Sequence, residues 1–163
     1  MATYLISIMP NVMIGLLYRG STHGWHLKDF HLRCDSKGPT LTLIKIEDGD
    51  CIGGYTRGSW YSDRNKYDGD SASILFNLNQ WRYFPSKLQA NNIFTGRYIG
   101  PCFSGSGTEG ELTLIDAPFN GYGNCRSLTN KPGYFVPSIK GINQLTNSKN
   151  PYVTVAELEV WLV

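Results

Sequence analysis

The sequence predicts a mainly β protein: an all-β sandwich with one clear helix. Three observations lead there. About seven short runs of extended or alternating apolar character recur along the chain, the pattern of an all-β sandwich. Turn-forming residues separate them, with 18 Gly and 8 Pro in 163 residues. Only one stretch carries a helical period.

That stretch comes first. Between Ser21 and Asp35, residues Leu27, Phe30 and Cys34 recur at i, i+3 and i+7, with Trp25 just ahead of the stripe. The run Cys34-Asp35-Ser36-Lys37-Gly38-Pro39 writes its stop, since glycine caps a helix end and proline forbids continuation. The period then changes. Thr40 to Ile46 reads as a strand, Glu47-Asp48-Gly49-Asp50 as a turn, and Cys51 to Thr56 as the returning strand of a hairpin. Gly53 and Gly54 inside that strand predict a bulge or a close backbone approach.

The polar stretch from Arg57 to Ser73 reads as a long surface loop carrying Trp60, Tyr61 and Tyr67. Exposed aromatics there, or at Trp81 and Tyr83, would anchor a partner, while half or more of the group belongs to strand packing and core. Strands are expected at Ile74–Leu78, Trp81–Phe84, Gly96–Phe103 and Glu111–Ile115. Asp116 to Pro151 is rich in Gly, Asn, Pro and Ser and reads as mostly loop. At the end, Val153 and Val155 alternate in one phase and Leu158, Val160 and Leu162 in the other, which predicts a strand with a bulge near Ala156.

Residues 1–163 fit a single domain, and a chain of this length buries roughly 70 % of its unfolded surface without needing a metal or disulfide. The composition is 41 % hydrophobic and only 17 % charged, too apolar for disorder. A net charge of +2 with no long run of like charges gives a nucleic-acid partner no electrostatic footing. The apolar opening is broken by Pro10 and Asn11 with no basic residues ahead, so neither a signal peptide nor direct membrane insertion fits. Cys34, Cys51, Cys102 and Cys125 form no C-x-x-C pair and read as free thiols of a reducing compartment.

Gly105 to Gly110 matches G-x-G-x-x-G, but the following Glu111 to Ile115 reads as a strand, so the helix that would face a pyrophosphate is missing. His23, His26 and His31 lack the i, i+4 spacing of a metal pair and read as a solvated helix start. There is no G-x-S-x-G elbow, and Cys34 with His31 are ordinary helix neighbours. No catalytic residue, cofactor or metal site is assigned.

Five segments, in order, carry a family resemblance: LLYRGSTHGWHLKDFHLRCDSKGPTLTLIK from Leu16, IGGYTRGSW from Ile52, SASILFNL from Ser71, GELTLIDAPFNGYGNC from Gly110 and VTVAELEVWLV from Val153. Together they resemble the TLDc domain over essentially the whole chain. The resemblance implies a two-sheet antiparallel β-sandwich flanked by a few short helices, in agreement with the strand count. It also implies a non-enzymatic interaction domain linked to oxidative-stress resistance and to the peripheral sector of the vacuolar proton-pumping ATPase, without a cofactor. The protein would then be cytoplasmic, reach endolysosomal membranes through its partner, and be monomeric as an isolated domain.

Two departures stand out: His26 replaces the Ser or Thr that often caps this helix in the family, and the glycine stretch at Gly105–Gly110 is thinner than in many relatives. None of the extra modules that accompany TLDc in larger proteins is seen, which fits a stand-alone short form or an excised domain. Loop character places the partner-binding residues at Gly105, Ser106, Gly107, Asn120, Tyr122 and Arg126. Two other readings stay open. One is a scaffold in a ciliary or cytoskeletal assembly. The other is a cysteine-dependent antioxidant, for which Cys125 beside Arg126 is better placed than Cys34 near a helix C-terminus.

Overall fold

A computed structural model of the chain describes residues 15–87, 92–103, 112–115, 124–126, 138–139 and 141–163. The chain enters on β1 (Gly15–Arg19), turns through α1 (Gly20–His23) and α2 (Leu27–Cys34), and forms the hairpin β2 (Thr40–Ile46) and β3 (Cys51–Thr56). Next come β4 (Lys66–Asp68), β5 (Ile74–Asn77), β6 (Arg82–Pro85), β7 (Ile93–Thr95), β8 (Cys102–Phe103), β9 (Leu112–Ile115) and β10 (Asn124–Arg126). The small hairpin β11 (Ser138–Ile139) and β12 (Ile142–Asn143) precedes the long last strand β13 (Tyr152–Leu162).

These strands make the two antiparallel sheets the sequence predicts. The first sheet runs β1-β13-β2-β3-β5-β6 and the second β4-β7-β8-β9-β10-β13, so the last strand belongs to both. Its bulge makes that possible. Val155 pairs with Ile46 and Glu157 with Lys45, which leaves Ala156 as the extra residue where the phase changes. On one edge of β13, Tyr152 to Thr154 pair with β10, whereas Glu159 to Leu162 pair with β1. An added residue bends a strand and strengthens its twist, which carries one strand from one layer to the next. Helix α1 lies against this turn in β13: Ser21 donates to Glu157 through its amide (3.2 Å) and its hydroxyl (2.5 Å).

The core lies between the layers. Ile44, Ile52, Leu75 and Phe84 face it from the first sheet, and Ile93, Phe103, Leu112 and Leu114 from the second. The layers meet closely at the predicted glycines: a Cβ on Gly54 would sit 2.6 Å from the Phe103 ring. Gly53, on the opposite face, has no room either, because its Cβ would meet the carbonyl oxygen of Thr42 and, at 2.9 Å, the ring of Phe76. Across that outer face Leu41, Tyr55 and Ile74 stand in register and join Phe76 and Val163 in a second apolar cluster.

Three expectations are corrected. The Ser21–Asp35 stretch is not one helix, since Gly24 at φ 100° breaks it, and the whole stripe Leu27, Phe30 and Cys34 lies in α2. Arg57–Ser73 is not all surface loop: it contains β4, and Trp60 is 1 % exposed. Trp60 donates from Nε1 to Thr40 Oγ1 (2.9 Å) and stacks edge-on against Phe30 and Phe103, joining helix and both sheets. Within Asp116–Pro151, read as mostly loop, the described residues include β10, β11, β12 and a buried run, Asn143 to Thr146, and Cys125 has its backbone in β10 rather than in a loop.

Candidate functional site

Of the six residues placed by loop character, Gly105, Ser106, Gly107, Asn120 and Tyr122 lie outside the described residues. Arg126 is described by its backbone alone, at the end of β10, paired with Thr113 on one side and Tyr152 on the other.

Among the described residues, a concavity lies elsewhere. A surface cleft of about 510 Å³ is lined by His26, Leu27, Lys28, His31, Leu32, Ser62, Arg97 and Tyr98. Its first wall is α2. Phe30 and Cys34 point to the core as the apolar stripe requires, which leaves Leu32 on the opposite face at 81 % exposure. The helix begins at His26 with no side-chain cap, as the departure from Ser or Thr implies. The second wall is the turn after β7, closed by the Ile99 amide donating to Gly96 O at 3.2 Å. That turn holds Tyr98 at 79 % exposure, with the Arg97 guanidinium 5.9 Å from its ring centre.

A buried histidine joins the walls. His31 is 7 % exposed, which corrects the expectation of a solvated helix start. Its Nδ1 lies 2.8 Å from Asp35 Oδ1 and its Nε2 2.9 Å from the carbonyl of Ile99. Both partners are acceptors, the Asp35 carboxylate and the Ile99 carbonyl. The other carboxylate oxygen of Asp35 accepts from the Ser62 amide (2.7 Å), and the Ser36 amide donates to Trp60 O (3.0 Å). One imidazole and one carboxylate thus fix the helix, the 60–62 segment and the 97–99 turn relative to each other. No sequence signal marks this arrangement, because His31 and Ile99 are 68 residues apart.

The other histidines have separate roles. His23 Nδ1 accepts from the Arg19 amide at 2.9 Å, while His26 sits at the helix start. Among the described residues no three His, Cys, Asp or Glu groups converge as metal ligands would. Cys34, Cys51 and Cys102 are free thiols, and Cys102 Sγ is 3.3 Å from Thr113 Oγ1. Burial pushes the Cys34 thiol far above its ordinary range, with Asp35 adding to the effect and Arg33 and Lys37 opposing it. Cys51 is raised as well, by burial first and then by Glu159 and Asp50. Neither is poised as a thiolate nucleophile. No helix among the described residues is long and apolar enough to cross a membrane.

Comparison with known proteins agrees with the fold. The chain is similar to interferon-induced protein 44 of Pan troglodytes, with 41 % identity over 75 residues. That stretch covers 46 % of this chain but only 16 % of the relative. The profile of the TLDc domain matches residues 1–163, so the chain belongs to the TLDc domain family.

Proposed function

We propose that this protein is a non-enzymatic interaction domain whose partner is the peripheral sector of the vacuolar proton-pumping ATPase, with support of oxidative-stress resistance as the consequence. The observation that carries the reading is the family match over the full chain. The structure lends support through its kind of surface, loops and a helix face held on a rigid sandwich, which suits binding better than chemistry. The raised thiols of Cys34 and Cys51 also weigh against a peroxide-reacting role for these two residues. Placement in the cytoplasm at endolysosomal membranes then follows from the partner.

Affinity capture tests this. The immobilised chain is exposed to cell lysate with ATP, with ADP and without nucleotide, and bound proteins are identified by mass spectrometry. Subunits of the ATPase peripheral sector are expected in at least one condition. Their absence from all three rejects the proposal.

A further inference from the structure

The cleft between α2 and the 97–99 turn has a definite chemical character. Two of its eight lining residues, Lys28 and Arg97, are cations, two are imidazoles, and none is a carboxylate. Of the acidic groups nearby, Asp35 is held by His31 and the Ser62 amide, Asp29 of α2 lies against Gly24, and Asp63, itself exposed, lies 3.6 Å from Arg64. Alongside the cations stand Leu32 and Tyr98, two of the large apolar side chains the described surface leaves most exposed. An exposed Leu and Tyr lining one cleft beside cations suit contact with a macromolecule, since a small hydrophilic anion gains nothing from the apolar surface. Tyr and Arg are residues that recur at the centres of protein interfaces.

From this pairing we infer that the cleft is a docking site for a protein segment bearing a bulky apolar residue flanked by carboxylates. The apolar residue packs between Leu32 and Tyr98, and the carboxylates pair with Lys28 and Arg97. Arg97 gives the geometric selectivity, because its planar fork matches a carboxylate in two-point contact. The His31 bonds to Asp35 and Ile99 hold the two walls in place before binding, so little ordering is needed when the segment arrives. The site rests on the reading of the protein as an interaction domain and adds the chemistry of what it grips.

The test uses the full chain and a random dodecapeptide library displayed on phage. Selection runs against the wild type, with counter-selection on the double variant Lys28→Glu/Arg97→Glu. All four substituted positions, these two with Leu32→Ser and Tyr98→Ser, are exposed, and circular dichroism and melting confirm that each variant folds. The expected consensus is a Leu, Phe or Trp with Asp or Glu on either side. A labelled consensus peptide should bind about tenfold more weakly to the double variant and to Leu32→Ser or Tyr98→Ser, and more weakly as salt rises. Replacing its Glu by Gln should cost about as much.

No enrichment, a consensus without carboxylates, or equal affinity for the variants overturns the inference. So does stronger binding of the wild type to phosphatidylserine vesicles than to the peptide. The two proposals fail separately: capture of the ATPase sector with no carboxylate-bearing peptide enriched at the cleft rejects the cleft and leaves the proposed function standing. Peptide binding at the cleft without any ATPase capture does the reverse.

Discussion

At Cys34 the side chain is fully buried behind α2, and the thiol is held in its neutral form by desolvation, with the Asp35 carboxylate next in effect. The sign of the pH dependence follows. Below about pH 8.5 the thiol is neutral in both folded and unfolded chains and adds nothing. Above it the unfolded chain ionises and the folded one does not, so stability falls as pH rises, by up to about 1.4 kcal/mol per unit from this residue. Urea denaturation between neutral pH and pH 10 should show this decline, and Cys34→Ala should make it shallower, the raised Cys51 thiol supplying part of what remains. Gly53 offers a second case. An added methyl there has to displace either a carbonyl of the neighbouring strand or the Phe76 ring, and the carbonyl is fixed by the β2–β3 pairing. Gly53→Ala is expected to cost about 2–3 kcal/mol by denaturant midpoint. Gly49→Ala, at φ 94° but in open space, should cost about 1 kcal/mol.

The element with most consequence is β13. Val153 and Val155 face the core before the bulge, Leu158 and Val160 after it, and Ala156 with Glu157 absorb the change of phase on the solvent side. Removing Ala156 would force one pair or the other outward, because side chains alternate with a period of two. The deletion should therefore abolish the cooperative unfolding transition. Ala156→Ser keeps the register at an exposed position and should stay within about 0.5 kcal/mol of wild type. Helix α2 shows the opposite economy: its inward stripe makes core while its outward face, with Lys28 and Leu32, forms a wall of the cleft.

Across the whole molecule, the layers are joined by aromatic contacts spanning all of them. Phe30 of the helix meets Trp60, Trp60 meets Phe103 at 5.5 Å and 82°, and Phe103 covers Gly54 of the opposite sheet. Phe103→Ala opens a cavity where three parts meet and should cost about 3–5 kcal/mol, with loss of the near-ultraviolet aromatic dichroism contributed by Trp60. The cleft belongs to this scale as well, since it exists only where the helix, the Ser62 segment and the 97–99 turn are brought together.

Much of this was legible along the chain. Alternation exposed the strands Thr40–Ile46 and Cys51–Thr56, the bulge at Ala156 appeared as a change of phase, and the paired glycines announced a close approach. These are local signals, carried by neighbours two to four positions apart. The strand expected at Gly96–Phe103 shrinks to Cys102–Phe103 because a turn takes its first half, and Trp60 reads as surface because its neighbours are polar although its own ring is core. The sequence by itself determined the sandwich, the family and the apolar faces, because backbone geometry turns residue spacing directly into sidedness. Only the tertiary structure decided that His31 is buried and that Leu32 and Tyr98 share a cleft. Those facts depend on contacts between segments distant along the chain, which no local pattern encodes.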